Sequence, residues 1–505
     1  MDSPERQASD PQQLAADFLH QFQQTGEVDR ELIADLAQLA ASDNAVEAQA
    51  ATTAIFASLV EKLADAFEPA CVLLYNRLFA QLIHLCRATP QGASLDQELT
   101  RLGVTTEAAL VSRAEQLRYI RRFTRSAAEK ERIKRAIVLS RVTIGADVVI
   151  TSIIIERLKR EFPNAEIALV GNRKAAELFG GEPRITFTGI DYQRGGTLTT
   201  RLASWLEVLA QVRELTEGLN ADEWLMVDPD SRLTQLGLLP LLPVENLYQS
   251  NNAKAQLNDP YLFFPSRELG AHSGSLSELT SIWLNAVFSG EAQTFPQLYL
   301  RQQDYQLAQG VIDKIRQGDS RPLVSLNFGV GENAKKRISD NFESHLVARL
   351  LQSGARLILD KGAGAEELQR AERIIALAAK SNYRSQNLSV IEANEENLQT
   401  LVSAETLAAD LLVWQGRIGL LAALIATSDL YIGYDSAGQH IAAALAVPCI
   451  DIFAGYSSPR MLQRWRPTGR SKTHIINVDT LHSEADSNVI LEQTLQYAQE
   501  HLAKR

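Results

Sequence analysis

The stretch "YIGYDSAGQHIAAALAVPCIDIFAG", residues 431–455, decides the fold class of this chain. An apolar run is followed by a polar turn, a run of small residues and a second apolar run, which predicts a strand, a turn, a helix and a strand. Two buried strands joined through a helix are typical of a parallel sheet covered by helices. The turn contains Asp435, Ser436, Gly438 and His440, just where the first strand meets the helix. It is therefore either a helix cap or part of a binding site.

The same alternation of strands and helices occurs in two parts of the chain, behind a segment of different character. Up to about residue 132, apolar residues recur at helical spacing without a convincing strand. From about residue 135, and again from about residue 310, β-branched runs alternate with helices. The predicted domains are an all-helical domain over 1–132 and two Rossmann-like α/β domains over 133–305 and 306–505. Because the charged run SAAEKERIKR bridges the first boundary, we expect residues 1–130 to be separable from the rest.

Composition limits the possible function classes. The 505 residues are 45% hydrophobic and 22% charged, which is typical of a globular protein with several cores. The net charge of −11 argues against a nucleic-acid partner. Cys71, Cys86 and Cys449 are too few and too scattered for a disulfide framework or a zinc site, which favours a reducing compartment. The polar start and the lack of a run of about 18 uncharged apolar residues predict a cytoplasmic protein without a membrane span.

Turns that contain glycine follow predicted strands in both α/β halves. Their sequences are VTIGAD, NFGVGEN, DKGAGAEE and GYDSAGQH. A ligand of two facing α/β halves lies in the crevice at the carboxyl ends of the strands, so these turns are expected to line one site. None of them has the spacing of a dinucleotide fingerprint or of a P-loop. Taken singly, Gly329 and Gly331 are typical of ordinary turns.

Residues 419–455 resemble the C-terminal signature of the ADP-heptose:lipopolysaccharide heptosyltransferases, glycosyltransferase family 9. That signature is an Asp followed by Thr or Ser, a Gly, two variable residues and His, then an Ala-rich helix, Val-Pro, a strand and Phe-Gly. Upstream, RVTIGADVVITSIIIERLKREFPNAEIALVG resembles the family's opening strand, Asp-bearing turn and first helix. NFGVGENAKKRI resembles its Gly turn followed by Lys, and DKGAGAEE its Gly and Glu turn. The resemblance covers about residues 135–480.

This resemblance implies the GT-B fold, in which two Rossmann-like domains face a cleft. It also implies an inverting, metal-independent transfer of a sugar, heptose by family default, from a nucleotide diphosphate, with no other cofactor. The family acts in lipopolysaccharide biosynthesis, and the expected acceptor here is a glycan, a lipid-linked glycan or a protein. A lipid-linked acceptor leaves open peripheral association with the inner face of the membrane. The alternative is an inactive scaffold whose helical domain binds a partner.

The resemblance places the donor in the turns of the C-terminal half. The expected donor-binding residues are Gly329, Lys335, Lys336, Glu366, Asp435, Ser436, Ala437, Gly438 and His440. Ser436 and His440 are expected to donate to phosphate oxygens beside a helix N-terminus, where free N–H groups favour an anion. Either Lys335 or Lys336 neutralises the diphosphate, and either Glu366 or Glu367 accepts the ribose hydroxyls. The plainer interpretations are a helix cap, a solvated basic face and carboxylates at a helix start.

Two positions depart from the family pattern. The family Gly after Asp-Thr/Ser is Ala437 here, and Gly438 follows it. The point at which the backbone is expected to approach the diphosphate closely is therefore shifted by one residue. The family's proposed catalytic Asp follows a Gly, whereas Asp147 follows Ala146. By the resemblance we expect Asp147 to be the general base that takes the proton of the acceptor hydroxyl. As a bare sequence feature, an Asp at a helix start is more often a cap.

A competing interpretation places a metal at Asp228-Pro229-Asp230, which follows the apolar run WLMV. Such a D-x-D pair binds Mn²⁺ or Mg²⁺ beneath the nucleotide diphosphate in transferases of the other main fold. That fold has one nucleotide-binding half, whereas this chain has two α/β halves. Pro229 also makes the segment typical of a strand-end turn. We therefore expect no metal.

Overall fold

The computed structural model describes most of the chain. The described residues are 10–119, 122–123, 125–192, 195–243, 260–267, 272–316, 318–331, 333–362, 364–380, 389–405, 407, 409–479 and 484–503. Every position assigned above to the candidate site lies within these ranges.

The N-terminal part is helical over its described residues, as the periodicity predicts. The helices are α1 (Pro11–Thr25), α2 (Arg30–Ala40), α3 (Ala45–Thr53), α4 (Glu61–Asp65), α5 (Pro69–Arg87), α6 (Ala93–Arg101), α7 (Glu107–Leu117) and α8 (Ala127–Glu131). A π-helical segment, Ala54–Val60, joins α3 to α4 without a break. The first three helices are preceded by the N-cap residues Asp10, Asp29 and Asn44. The side chain of each cap accepts a hydrogen bond from a backbone N–H group of the first turn.

The first α/β half forms a parallel sheet of five described strands in the order β3-β2-β1-β4-β5. Its elements are β1 (Arg135–Leu139), α9 (Ile144–Ala146), α10 (Ser152–Glu161), β2 (Glu166–Gly171), α11 (Arg173–Phe179), β3 (Ile185–Gly189), α12 (Leu198–Thr216), β4 (Trp224–Asp228), β5 (Tyr261–Phe263) and α13 (Leu276–Phe288). A π-helical turn, Asp147–Thr151, connects α9 to α10. The strand order reverses between β1 and β4, which is where open parallel sheets bind ligands.

The second half forms a parallel sheet of seven described strands in the order β12-β11-β10-β6-β7-β9-β8. Its elements are α14 (Gln302–Arg316), β6 (Leu323–Asn327), α15 (Asp340–Gln352), β7 (Arg356–Asp360), α16 (Ala365–Lys380), β8 (Val390–Asn394), α17 (Leu398–Ser403), β9 (Leu411–Gln415), α18 (Ile418–Ala426), β10 (Leu430–Tyr434), α19 (Ala437–Ala444), β11 (Cys449–Ala454), α20 (Pro459–Trp465), β12 (Thr473–Val478) and α21 (Glu484–Leu502). The order reverses between β6 and β10. The predicted boundary after residue 305 falls inside α14, which packs on α17 and α18, so the second half begins earlier than predicted.

The N-terminal helices share their core with the first sheet. On one face of that sheet the buried side chains include Ile137, Leu139, Val170 and Met226. They belong to the same apolar cluster as residues of α1, α2, α5 and α7. The other face packs in a second cluster against α10 and α13, and this cluster continues into the second half. The helices thus share one apolar core with α12 and the first sheet, which argues against the expected separable domain.

We predict that a fragment beginning near residue 130 aggregates or binds a hydrophobic dye. Removing the helices exposes apolar side chains of α12 and of the segment after β4 that belong to the same cluster, and large exposed apolar patches cause association. Soluble yield and size-exclusion chromatography of this fragment measure the effect. Co-expression with residues 1–129 as a separate polypeptide is the matched control and restores a soluble complex. A soluble, cooperatively melting fragment on its own contradicts the shared-core interpretation.

Candidate functional site

In each sheet the strand order reverses at one point, between β1 and β4 and between β6 and β10. These two points lie on either side of a contact between the halves, which is called the junction. Gly145, in the turn after β1, packs directly against His440 of α19 in the other half. A Cβ atom placed on Gly145 would lie 3.2 Å from Cδ2 of His440 and 3.8 Å from the Cα of Ala437. The structure therefore brings together the strand-end turns VTIGAD and GYDSAGQH, as the sequence predicts.

Ser436 is the N-cap of α19. Its hydroxyl accepts from the backbone N–H of Gly438 at 3.4 Å, and the side chain of Gln439 accepts from the Ser436 N–H at 2.7 Å. This is a capping box, in which two otherwise unpaired N–H groups of a helix start are satisfied. The plainer interpretation of Ser436 as a cap is thus correct. The cap also fixes the direction in which the remaining N–H groups of α19 point.

The family signature has glycine where this chain has Ala437, and the glycine here is residue 438. The packing around residue 438 explains why it is a glycine. The hydroxyl of Tyr431, in the neighbouring strand β10, lies under the start of α19, and a Cβ atom on residue 438 would lie 1.9 Å from it. Only glycine fits at 438 while this buried tyrosine is present. Ala437 meets no such restriction and is partly exposed.

Asp435 is the centre of a buried charged cluster at the end of β10. It is 4% exposed; its Oδ1 accepts from Gln439 at 2.9 Å, and its Oδ2 is ion-paired with Lys336. Behind it, Asp451 in β11 is fully buried, and neither of its carboxylate oxygens has a hydrogen-bond partner among the described residues. Burial, reinforced by the charge of Asp435, raises the pKa of Asp451 well above its usual range. Lys336 is therefore the cation paired with Asp435 in this cluster, beside a second, buried carboxyl group.

The structure separates the two candidate lysines. Lys336 has a side chain that is 19% exposed and turned into the cluster, whereas Lys335 is exposed to solvent. Both lie on the short 3₁₀ turn Ala334–Lys336, where successive side chains point in different directions. Of the two, Lys336 is the one that contacts Asp435, directly before α19, and its role toward a diphosphate stays a prediction.

His440 is a neutral side chain at the junction of the two halves. It is 2% exposed and packs against Gly145 and the ring of Trp465, whose centroid is 6.0 Å away. Burial, together with the charge of Lys336, lowers the pKa of His440 to about 3. Its Nδ1 has no hydrogen-bond partner in the part of the chain that the structure describes. In this arrangement it is closed off from solvent, so contact with a ligand requires the junction to open.

The turns after β6 and β7 form one hydrogen-bonded group. The side-chain oxygen of Asn327 accepts from the N–H of Gly329 at 2.8 Å, and its amide donates to Asp360 at 2.7 Å. Glu367 faces this group: its Oε1 would lie 3.0 Å from a Cβ atom on Gly329. Burial raises the pKa of Asp360 to about 6, and the charge of Glu367 adds to the shift. Gly329 therefore lies directly against the side chains of Glu367 and Asn327, and its role in donor binding stays a prediction.

The acidic residue of this group is Glu367 and not Glu366. The side chain of Glu366 is 78% exposed and bonds Arg370 one helical turn later at 3.1 Å. Adjacent residues at the start of a helix point about 100° apart, so only one of the two can face the strand ends. The expectation for Glu366 is corrected to its neighbour.

Asp147 is enclosed in the wall of the first half. It is 1% exposed and accepts three hydrogen bonds, from the Ser140 hydroxyl at 2.7 Å, the Arg141 N–H at 2.7 Å and the Thr151 hydroxyl at 2.8 Å. Burial raises the pKa of Asp147, although these donors oppose the shift. The carboxylate ties the end of β1 to the π-helical turn that follows. Its role as general base stays a prediction, and this geometry counts against it.

The carboxylates of Asp228 and Asp230 each have protein partners of their own. Asp228 accepts from the Thr234 hydroxyl at 2.6 Å, the Tyr261 hydroxyl at 2.8 Å and the Ser231 N–H at 2.8 Å. Asp230 accepts from the Ser266 hydroxyl at 2.9 Å and pairs with Arg141 and Arg267, each at 3.3 Å. Among the described residues no three His, Cys, Asp or Glu side chains converge in a way that would hold a metal ion. This D-x-D segment organises the end of β4 in the present structure.

Sequence reasoning missed the arginines that surround the first half's strand ends. Arg141 is 7% exposed and donates to the carbonyl of Pro229 at 2.6 Å, besides pairing with Asp230. Burial lowers the pKa of Arg141 to about 10. Arg141 and Arg267, which both pair with Asp230, lie in distant parts of the sequence, and no motif links them. The one available signal is the position of Arg141 directly after the predicted strand RAIVLS.

Sequence reasoning also missed the contribution of the helical part to this site. The turn between α4 and α5 inserts Phe67, which is 3% exposed, against Trp465 of the second half, with ring centroids 6.4 Å apart. Arg460 donates to the carbonyl of Phe67 at 2.9 Å and pairs with Glu68 at 2.7 Å. A segment interpreted as a separate domain thus reaches the second α/β half. The backbone of Phe67 has a positive φ of 52°, which is uncommon for a residue other than glycine. No sequence pattern predicts this conformation.

Comparison with known proteins agrees with this arrangement. Residues 391–493 match the model of glycosyltransferase family 9 (heptosyltransferase). This match includes β10, α19 and β11, the elements that carry Asp435 and His440. No curated protein is significantly similar in sequence.

Solved structures share the fold. The glycosyl transferase family 9 structure from Veillonella parvula DSM 2008 has a TM-score of 0.51 at 13% identity, covering 74% of this chain and 98% of that one. The E. coli ADP-heptose LPS heptosyltransferase II has a TM-score of 0.43 at 15% identity, with 72% and 99% covered. E. coli heptosyltransferase WaaC with ADP has a TM-score of 0.44 at 14% identity, with 73% and 99% covered. The fold class expected from the sequence, two facing α/β domains of the GT-B type behind a helical part, is confirmed.

We predict that His440 makes the protein less stable as pH falls below 6.5. The unfolded chain takes up a proton near pH 6.5, whereas the folded ring takes one up only near pH 3, so stability is lost as pH falls through this window. The loss is about 1.4 kcal/mol per pH unit, or about 2 kcal/mol between pH 7 and pH 5. Denaturant unfolding of the parent and of His440→Gln at both pH values measures it.

In that comparison the Gln variant loses less stability between pH 7 and pH 5 than the parent. His84→Gln, which changes an exposed histidine of α5, is the control and keeps the parental pH dependence. Equal pH dependence of the parent and His440→Gln shows that the buried ring is protonated in the folded state and contradicts the neutral assignment.

Proposed function

We propose that this chain, whose residues 391–493 match glycosyltransferase family 9 and whose two α/β halves have the GT-B fold, is a glycosyltransferase that moves a sugar from a nucleotide diphosphate to an acceptor hydroxyl. The observation that carries the proposal is the cluster at the β6 and β10 strand ends. There a partly exposed cation, Lys336, and the N-terminus of α19 converge at a strand-order reversal. This combination suits a diphosphate, because cations and free helix N–H groups both stabilise it.

On donor binding, Lys336 exchanges its ion pair with Asp435 for an ion pair with the diphosphate. In the free protein Lys336 is paired with Asp435, and a diphosphate that enters beside α19 competes for the same ammonium group. The Asn327, Gly329 and Glu367 group lies at the adjacent strand ends and offers a carboxylate for the ribose hydroxyls. His440 donates to a phosphate oxygen once the junction with Gly145 opens.

The transfer is proposed to be inverting and independent of metal. The acceptor oxygen attacks the anomeric carbon from the face opposite the diphosphate, and the diphosphate leaves with the bonding electron pair. Lys336 and the N–H groups of α19 stabilise the charge that develops on the leaving group. Asp147 holds the turn that carries Gly145 against α19, and so it positions the two halves.

The sugar and the acceptor are proposed from the family description. Heptose carried by ADP is the first candidate for the donor, and a glycan, a lipid-linked glycan or a protein is the candidate acceptor. We propose a cytoplasmic site of action, with peripheral membrane contact if the acceptor is lipid-linked. Among the described helices, none combines the length and the apolar character needed to cross a bilayer.

One observation favours a second candidate, an inactive scaffold. The turns of the two halves touch at Gly145 and His440, and Asp147 is enclosed. A chain that never opens this junction binds no donor, and its helical surface then serves a partner.

A panel of donors separates the two candidates. ADP-heptose, UDP-glucose, GDP-mannose and dTDP-glucose are each titrated against the full-length protein while its melting temperature is recorded, since a bound ligand raises it by mass action. The transferase proposal predicts that one of them stabilises the protein and is slowly hydrolysed, with and without EDTA. No stabilisation and no hydrolysis by any donor favours the scaffold. Activity that EDTA abolishes contradicts metal independence and returns Asp228 and Asp230 to consideration.

We predict that Lys336→Met lowers the affinity for the stabilising donor at least about tenfold, the loss expected for a charge-assisted hydrogen bond of about 1.5–3 kcal/mol. Lys335→Met is the matched control, because it removes the same charge one residue away from an exposed position. Isothermal titration with the nucleoside diphosphate alone measures both variants. Equal affinities for the two variants would place the diphosphate away from Lys336.

A further inference from the structure

The position of Lys336 depends on the short segment that carries it, residues 333–338, which is called the lysine turn. Within this segment the three residues Ala334–Lys336 form a single 3₁₀ turn. A turn of this length contains few internal hydrogen bonds and is not rigid by itself. Lys336 therefore keeps one position beside Asp435 only if the flanking residues fix the lysine turn to the rest of the second half.

Contacts with the ends of two neighbouring strands fix the backbone of the lysine turn. The N–H of Ile338 donates to the hydroxyl of Tyr434 at 3.2 Å, and Tyr434 is the last residue of β10, directly before Asp435. The carbonyl of Lys335 lies against Gly455, which follows β11: a Cβ atom on Gly455 would lie 2.4 Å from this oxygen. The lysine turn thus packs on the ends of both β10 and β11.

An ion pair with a buried carboxylate holds the next residue of the lysine turn. Arg337, whose side chain is 14% exposed, donates from Nε to Oε1 of Glu343 at 2.9 Å, and its Nη2 lies 2.8 Å from the same oxygen. Glu343 lies in the first turn of α15 and is 0% exposed. Arg337 also pairs with Asp340, which is partly exposed at the start of α15. Because Arg337 is adjacent to Lys336 in the chain, these pairs fix the backbone next to the lysine.

The charge of Glu343 changes near neutral pH. Burial raises the pKa of Glu343 to about 7, although Arg337 of the lysine turn, Tyr434 of β10 and Arg370 of α16 all favour its charged form. The hydrogen bond from Arg337 lowers the pKa of Asp340, so this second carboxylate stays ionised. Between pH 6 and pH 8 the Arg337 to Glu343 pair therefore gains or loses its negative partner while Arg337 stays charged.

We propose that Glu343 is a positioning residue for the donor: through Arg337 it holds the lysine turn so that Lys336 stays beside Asp435, directly before α19. The inference rests on the proposed transferase function and adds a residue that touches no substrate. Groups that bind a ligand have to be held to within about 0.5 Å by neighbours whose side chains are themselves locked. Ionised Glu343 locks Arg337 in this way, and protonation of Glu343 weakens the hold.

The test compares donor affinity in the parent and in Glu343→Gln, which keeps the size of the side chain but carries no charge. At pH 8 we expect the variant to bind about 2- to 30-fold more weakly, the range for residues that do not touch the ligand. At pH 6, where Glu343 of the parent is protonated, the two affinities converge. The parent alone binds more tightly at pH 8 than at pH 6. Isothermal titration measures these affinities.

The choice of probe and control excludes simpler causes. The probe is the nucleotide diphosphate sugar of the donor panel that stabilises the parent, because its phosphates carry no group that titrates between pH 6 and pH 8. A purely electrostatic effect has the opposite sign, since removal of a negative charge favours an anionic ligand. Glu492→Gln is the matched control: it removes the exposed partner of Arg349, 3.0 Å away on α15, and keeps the parental affinity at both pH values.

A measurement without donor separates this inference from the proposed function. At pH 8 the backbone amides of residues 333–338 exchange with solvent faster in Glu343→Gln than in the parent, while those of β6 are unchanged. Unchanged exchange in the lysine turn overturns the inference. So does donor binding in the variant at pH 8 that is as tight as in the parent, and so does an equal loss at pH 6 and pH 8, which assigns Glu343 a structural role only. If no donor of the panel binds the parent, the proposed function fails and the inference fails with it.

Discussion

The apolar face formed by β1, β2 and β4 has to be covered, and α12 together with the N-terminal helices that pack on it completes the apolar cluster on that side. In an open parallel sheet both faces are buried, so each needs a layer of helices. Here α10 and α13 cover one face, while α12 lies on the other and is backed by N-terminal helices in the same apolar cluster. The helical part is consequently joined to the first half through a shared core.

This constraint makes the candidate site a product of three segments of the chain. The second half contributes Lys336, Asp435 and the N-terminus of α19, and the first half contributes the Gly145 turn that meets His440. The helical part contributes the turn at Phe67 and Glu68, which Arg460 and Trp465 hold against the second half. Separation of the two halves at the junction therefore involves all three.

The fold was predictable from the sequence, whereas the roles of single side chains were only partly so. Hydrophobic periodicity predicted the helical part and both α/β halves, and the motif around 435–440 predicted which strand ends meet. Neighbouring candidates were not separable, because Lys335 and Lys336, like Glu366 and Glu367, differ only in the direction that each side chain takes from its turn. The burial of Asp147 depends on Ser140 and Thr151 folding around it, and the glycine shift depends on Tyr431. The sharing of one core between distant segments leaves no local pattern, which is why the helices were expected to be separable.

The central claim is that a nucleotide diphosphate binds where Lys336 meets the N-terminus of α19. A crystal structure of the full-length protein with its stabilising nucleotide diphosphate sugar tests this most directly. We expect phosphate oxygens within hydrogen-bond distance of Lys336 Nζ and of the first N–H groups of α19, with the Lys336 to Asp435 pair broken. A diphosphate bound elsewhere, with that ion pair intact and Gly145 still against His440, would contradict it.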